Sequence, residues 1–158
     1  MTIDEERASL QKLSGSAKIR EISCALLIGL DGRFLLQQRD MVPHIVAPGK
    51  IGLFGGHREG EETFLDCVVR EVHEETSYFV SPERFEHLGD YSADAEVPGG
   101  TTIQSYFVAR DIPADVLVVT EGSLRIAARD ELASLQTKLT PVTANVLDLH
   151  LGRGWRAE

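Results

Sequence analysis

Residues 55–78 read GGHREGEETFLDCVVREVHEETSY, a glycine pair followed by a helical period crowded with carboxylates. At about 100° per residue, Glu71, Glu74 and Glu75 fall at i, i+3 and i+4 and share one face of the predicted helix. Like charges so spaced destabilise an isolated helix by about 0.2–0.5 kcal/mol per pair, so the cluster calls for a compensating cation. Arg70 adjoins Glu71 and precedes Glu74 by one turn, where its guanidinium can hold part of the cluster and leave carboxylate oxygens free. Hard oxygens of this kind suit Mg²⁺ or Mn²⁺. A solvated acidic surface helix is the plainer reading of a charge run. It explains neither the glycine pair nor a single arginine set beside three carboxylates.

Phe64, Leu65, Val68, Val69 and Val72 recur at threes and fours on the opposite side, so that side is expected to pack on a core. Thr63 with Asp66 three residues later predicts a capping box at the helix start. Thr76 and Ser77 stand where a glycine would most easily take the left-handed turn that ends a helix.

Upstream, residues 4–13 suggest a peripheral helix within 1–15, and residues 19–29 and 33–38 a hairpin turning at Asp31-Gly32. A proline-containing loop then leads to a short strand, Ile51 to Phe54, that delivers the chain to a turn at Gly55-Gly56. Downstream, Glu86 to Tyr91 and Thr101 to Val108 read as a second hairpin around SADAEVPGG. Val116 to Thr120 is a valine-rich run, Leu124 to Ala127 a further short strand, and residues 129–134 the start of a short helix. A helix is expected from Pro141 to Leu151, with Arg153 to Glu158 fraying. Strands with helices before, between and after them argue an α/β fold with a mixed sheet between helical layers. Cys24 and Cys67 lack metal-ligand spacing and read as core thiols rather than as a disulfide or a nucleophilic pair.

From Gly56 the order is Gly, five residues, Glu62, seven residues, Arg70, Glu71, Val72, one residue, Glu74, Glu75, one residue, Ser77, Tyr78. This resembles the Nudix box, with Ser77 and Tyr78 in place of the pattern's closing glycine and aliphatic residue. The segment LLQQRDMVPHIVAPGKIGLFGGH, residues 35–57, is similar to bacterial MutT-type members of that family. The resemblance implies a Nudix α/β/α sandwich and a metal-dependent hydrolysis of a nucleoside diphosphate linked to another group. It implies Glu71, Glu74 and Glu75 as metal ligands, the carbonyl of Gly55 as a further one, Arg70 as the group orienting Glu71, and Glu62 as a supporting carboxylate. Glu62 is equally readable as a helix-dipole charge. Many members use a later carboxylate as ligand or base; Glu121, after a predicted strand, is the candidate and Glu96 the runner-up. Arg39, ahead of the proline-containing loop, is a candidate for a substrate phosphate. Phe54 and Tyr106 read as core rather than as platforms for a base. His57 and Arg58 receive no role. A noncatalytic module that binds a nucleotide and regulates a partner is the alternative.

A chain of 158 residues, 42% hydrophobic, is expected to form one domain. Its 16 basic and 25 acidic residues give a net charge of −9, which opposes binding to nucleic acid polymers or anionic membranes and leaves a small nucleotide as the expected partner. No apolar run approaches the length of a membrane helix, and the start, MTIDEERASLQKL, is too acidic for a secretory signal, so a cytoplasmic location is expected. Apolar residues on the terminal helices leave a homodimer open.

Overall fold

Strand β1 (Arg20–Gly29) is buried over most of its length because it is bonded along both edges. It runs parallel to β6 (Thr102–Ile112), which in turn pairs antiparallel with β5 (Phe85–Ala93). On its other edge β1 meets two partners in succession, β4 (Phe54–His57) through residues 22–25 and β2 (Phe34–Gln38) through Leu27 and Ile28. Beyond that point β1 and β2 part. The segment 51–57 fills the split, pairing first with β2 as β3 (Ile51–Gly52) and then with β1 as β4. Strand β7 (Ser123–Ala127) closes the far edge of β2. These statements come from a computed structural model that describes Ile3 and residues 19–45, 47–93 and 100–157. The N-terminal helix expected within residues 1–15, and Glu96 with its turn, lie outside the described residues.

Helix α1 (Phe64–Thr76) covers one face of the sheet, where Val68 and Val72 pack with Ala25, Leu27, Phe54 and Phe107. The other face carries a short helix α2 (Leu132–Leu135) and α3 (Pro141–Leu151), with Val146 and Leu147 against Leu26, Leu36, Tyr106 and Val108. The mixed sheet between two helical layers is the α/β/α sandwich. Side-chain alternation along β1 assigns odd residues to the α1 layer and even residues to the α3 layer. Phe54 and Tyr106 are both buried in these cores, as are the two free cysteines.

Three expectations are corrected. The glycine pair is no turn: Gly55 and Gly56 sit inside β4, opposite Cys24 and Ser23. Val116 to Thr120 forms no strand. Its Val118 and Thr120 amides donate instead to the carbonyls of Thr76 and Glu75, at 2.9 and 3.0 Å, and so satisfy the end of α1. The C-terminal segment does not fray up to Ala157. Trp155 is buried and donates its indole N–H to Asp148 at 3.0 Å, and Arg156 forks onto the same carboxylate at 2.9 and 2.7 Å. Among the described residues no helix is long and apolar enough to cross a membrane.

Candidate functional site

Local sequence builds α1 as expected at both ends. Thr63 accepts from the Asp66 amide while Asp66 accepts from that of Thr63, a reciprocal cap. At the other end Ser77 takes φ 60°, ψ 14°, a left-handed conformation without a glycine, and its hydroxyl donates to Val118 O at 3.0 Å.

The final turns of α1 present their carboxylates at the split between β1 and β2. Glu75 spans it: Oε1 accepts from the Gly55 amide on β4 at 2.8 Å, and Oε2 from the Gln37 side chain on β2 at 3.2 Å. The same Gln37 nitrogen donates to the carbonyl of Glu121 at 3.0 Å, tying the loop after residue 120 to the site. Burial pushes the Glu75 carboxyl up to about 7, and the nearby negative charges of Glu71 and Glu121 push the same way. Glu71 is raised as well, chiefly by burial, with Arg70 opposing the rise and the charges of Glu74 and Glu59 adding to it.

Glu71 lies directly beneath Gly56. A Cβ at that position would come within 2.7 Å of both its carboxylate oxygens. At Gly55 an added Cβ would meet Ser23 O at 2.1 Å and Cys24 Cα at 2.6 Å, so β4 approaches β1 as closely as it does only with glycine there.

Arg70 holds the cluster from the side. It donates to Glu62 at 2.6 and 2.9 Å, to Glu71 at 3.0 Å, to Glu74 at 3.3 Å and to the carbonyl of His57 at 3.1 Å. Glu62 also accepts from the Glu59 amide at 2.8 Å, which folds the box loop back on itself, and Arg70 holds its carboxyl below the usual range. Sequence reasoning gave Arg58 no role. The structure pairs it with the buried Glu21 of β1, and it donates to the carbonyl of Glu62 at 2.6 Å, anchoring the same loop to the sheet.

A cavity of about 800 Å³ opens over this region on the α3 side of the sheet. Glu71, Glu74, Glu75 and Glu121 line one end with Gly55 and Gly56. Arg39, Arg20, Ile22, Leu53, Gln104 and Val142 line other parts of its wall. Thus Gly55, Glu71, Glu74, Glu75, Glu121 and Arg39 border one space, and Glu62 and Arg70 hold the carboxylates from outside it. Gln37 and Arg58 were missed because nothing local marks them; each acts on a residue more than 35 positions away in the chain.

The donor set fits a divalent cation by its chemistry, since three carboxylates and a backbone carbonyl supply only hard oxygens and Arg70 is the one cation paired with Glu71 and Glu74 among the described residues. Among the described residues, no three acidic, histidine or cysteine side chains already stand grouped as ligands. Each carboxylate has a partner of its own, Arg70 for Glu71 and Glu74, the Gly55 amide and Gln37 for Glu75. Glu71 Oε2 and Glu74 Oε1 take no hydrogen bond from a described residue.

A family model described as NUDIX domain matches residues 18–153. No curated protein matches. Among solved structures, a MutT NUDIX hydrolase from Burkholderia pseudomallei is 25% identical, with a TM-score of 0.66 over 84% of this chain and 98% of that one. A MutT protein from Bacillus halodurans is 23% identical, with a TM-score of 0.64 over 85% of this chain and 84% of its own. A bifunctional NMN adenylyltransferase/ADP ribose pyrophosphatase from Francisella tularensis, complexed with AMP and a manganese ion, is 17% identical with a TM-score of 0.65, over 94% of this chain and 46% of its own.

Proposed function

This chain belongs to the Nudix family of hydrolases that act on phosphoanhydride bonds of nucleoside diphosphate derivatives, and we propose that it is a Mg²⁺- or Mn²⁺-dependent pyrophosphohydrolase of a small nucleotide, a nucleoside triphosphate or a nucleotide sugar. The observation that carries the reading is the convergence of Glu71, Glu74, Glu75 and Glu121 on one end of a cavity large enough for a nucleotide. Net charge of −9 fits a small substrate rather than a nucleic acid polymer or a membrane, and a cytoplasmic location belongs to the same reading.

In this reading Glu71, Glu74, Glu75 and the Gly55 carbonyl would hold the cation, which would supply charge neutralisation for phosphate oxygens and a more acidic water. Glu121 takes the proton from the attacking water. The water oxygen forms the new bond to phosphorus as the bridging P–O bond breaks, and the departing phosphate carries away the electron pair. Arg39 meets a substrate phosphate from the cavity wall. Arg70 touches no reacting atom. It fixes Glu71 and Glu74 against Glu62, so that the ligands are ordered before the substrate arrives.

The test is a panel of nucleoside triphosphates, dinucleotides and nucleotide sugars with Mg²⁺ or Mn²⁺, read by phosphate and pyrophosphate release and by the nucleotide product. The wild type turns over at least one member, and Glu75→Gln loses on the order of 10²-fold or more. Equal inactivity of both proteins across the panel would overturn the enzyme reading in favour of a nucleotide-binding module.

A further inference from the structure

We propose that Gln104 selects the base of the bound nucleotide, turning its amide N–H₂ into the cavity so that a ring carbonyl is accepted and an exocyclic amine is refused. The inference rests on the reading that this cavity takes a nucleotide. Gln104 and Tyr106 share the α3 face of β6, opposite Ile22 and Cys24 of β1. Tyr106 is buried among the core side chains, and its hydroxyl donates to Gln104 Oε1. Burial also raises the pKa of the phenol, so the donor keeps its proton.

That bond decides which way the amide faces. Were Gln104 reversed, its N–H₂ would meet the phenol and the buried hydroxyl proton would lose its acceptor, an arrangement that folded proteins avoid. With Oε1 committed to Tyr106, the two N–H donors are left for the cavity that Gln104 lines, and no described residue accepts from them. The surrounding wall suits a base: Ile22, Leu53 and Val142 are apolar, and the guanidinium of Arg20 adds a further donor on the same face of β1.

The distance is also suitable. Ile22 of β1 pairs with His57 of β4 on one side and Gln104 on the other, so Gln104 stands two strand spacings, roughly 10 Å, from β4, the strand on which Glu71 and Glu75 rest. That is comparable with the reach from a diphosphate across a ribose to a base edge. A diphosphate at Glu71 and Glu75 would bring its base to Gln104. Guanine and hypoxanthine offer a carbonyl where adenine offers an amine, so the donor pair discriminates between them.

The test is calorimetric titration of GDP, IDP and ADP, with Mg²⁺, into wild type, Gln104→Glu and Tyr106→Phe. Wild type should bind GDP and IDP at least about tenfold more tightly than ADP, the value of one well-made base contact. In Gln104→Glu one oxygen still accepts from Tyr106 while the other faces the cavity as an acceptor, so the preference is abolished or reversed. Tyr106→Phe frees the amide to turn, and the preference falls to within about twofold. Circular dichroism checks folding; if Tyr106→Phe does not fold, Gln104→Glu decides alone. Equal affinities in the wild type, no binding of any of the three, or an unchanged ratio in Gln104→Glu would overturn the proposal. Turnover of GTP, ITP and ATP, measured in parallel, bears on hydrolysis separately: selective binding without turnover upholds Gln104 and counts against the hydrolase, and unselective turnover does the reverse.

Discussion

Gln37 of β2 and Glu75 of α1 meet at 3.2 Å across the split in the sheet, and the same Gln37 nitrogen reaches the carbonyl of Glu121 at 3.0 Å. One amide therefore fixes both a candidate ligand and the loop that carries the candidate base. Gln37→Leu keeps the bulk and removes the donor. It should lower stability by about 1–3 kcal/mol, because a buried carboxylate oxygen loses its partner. It should also weaken Mn²⁺ binding by about 10- to 100-fold, an effect that a purely structural role would not produce. Thermal unfolding and Mn²⁺ titration measure the two separately, and unchanged Mn²⁺ affinity would reject the positioning role.

The raised Glu75 carboxyl makes a pH prediction with a definite sign. Its folded value of about 7 lies above the ordinary 4.5, so its contribution to stability is complete below about pH 4.5 and is lost as pH rises through 7. Glu71 is shifted in the same direction. His150, held below its ordinary value by burial, works oppositely as pH approaches 6.5, so the difference between wild type and Glu75→Gln isolates Glu75. Without metal, Glu75→Gln should gain on wild type by a few kcal/mol between pH 5 and pH 8. Added Mn²⁺ should raise the wild-type melting temperature more at pH 8 than at pH 5.5, because it must displace protons from its ligands. Chemical denaturation and melting curves at the two pH values check both; a pH-independent difference would refute the first expectation.

Neighbouring glycines should respond differently to the same methyl group. In Gly55→Ala the new carbon meets the backbone of β1, at 2.1 Å from Ser23 O, and the central strand cannot yield; a loss of about 3 kcal/mol or more follows. In Gly56→Ala it meets the end of the Glu71 side chain, which can swing aside. That protein should fold with little loss of stability yet bind Mn²⁺ poorly. Melting curves and manganese titration of the pair would expose the contrast, and equal stabilities would contradict it.

Ser77→Gly removes the side-chain strain of a left-handed residue at φ 60°. Part of the gain is offset by the exposed bond from Ser77 Oγ to Val118 O at 3.0 Å. A net stabilisation below about 1 kcal/mol is expected, with turnover unchanged because the carboxylates lie on the preceding turns. A melting curve and one steady-state assay are sufficient to check it.

Where sequence and structure agree, the reason is local. The reciprocal bond of Thr63 with Asp66, the apolar side of α1 and the left-handed Ser77 each depend on residues within one or two turns, so their spacing is visible in the chain. Where they part, the missing information is a partner elsewhere. Gly55-Gly56 looks like a turn until β1 is known to lie alongside it. Val116 to Thr120 has the composition of a strand, but its amides are drawn to the last carbonyls of α1. The C-terminal residues look loose until Asp148 collects Trp155 and Arg156.

The candidate site divides in the same way. By itself the sequence determined the carboxylate helix, its arginine and the family to which the chain belongs, because identities at fixed offsets along one helix define a single face. Only the tertiary structure decided which groups meet that face, Gln37 at Glu75 and Gly56 over Glu71, and what surrounds it, Arg58 on Glu21 and Gln104 across the cavity with its amide set by Tyr106. The physical reason is that a hydrogen bond or a close approach depends on position in space, and the splaying of β1 from β2 brings together residues that no sequence period connects.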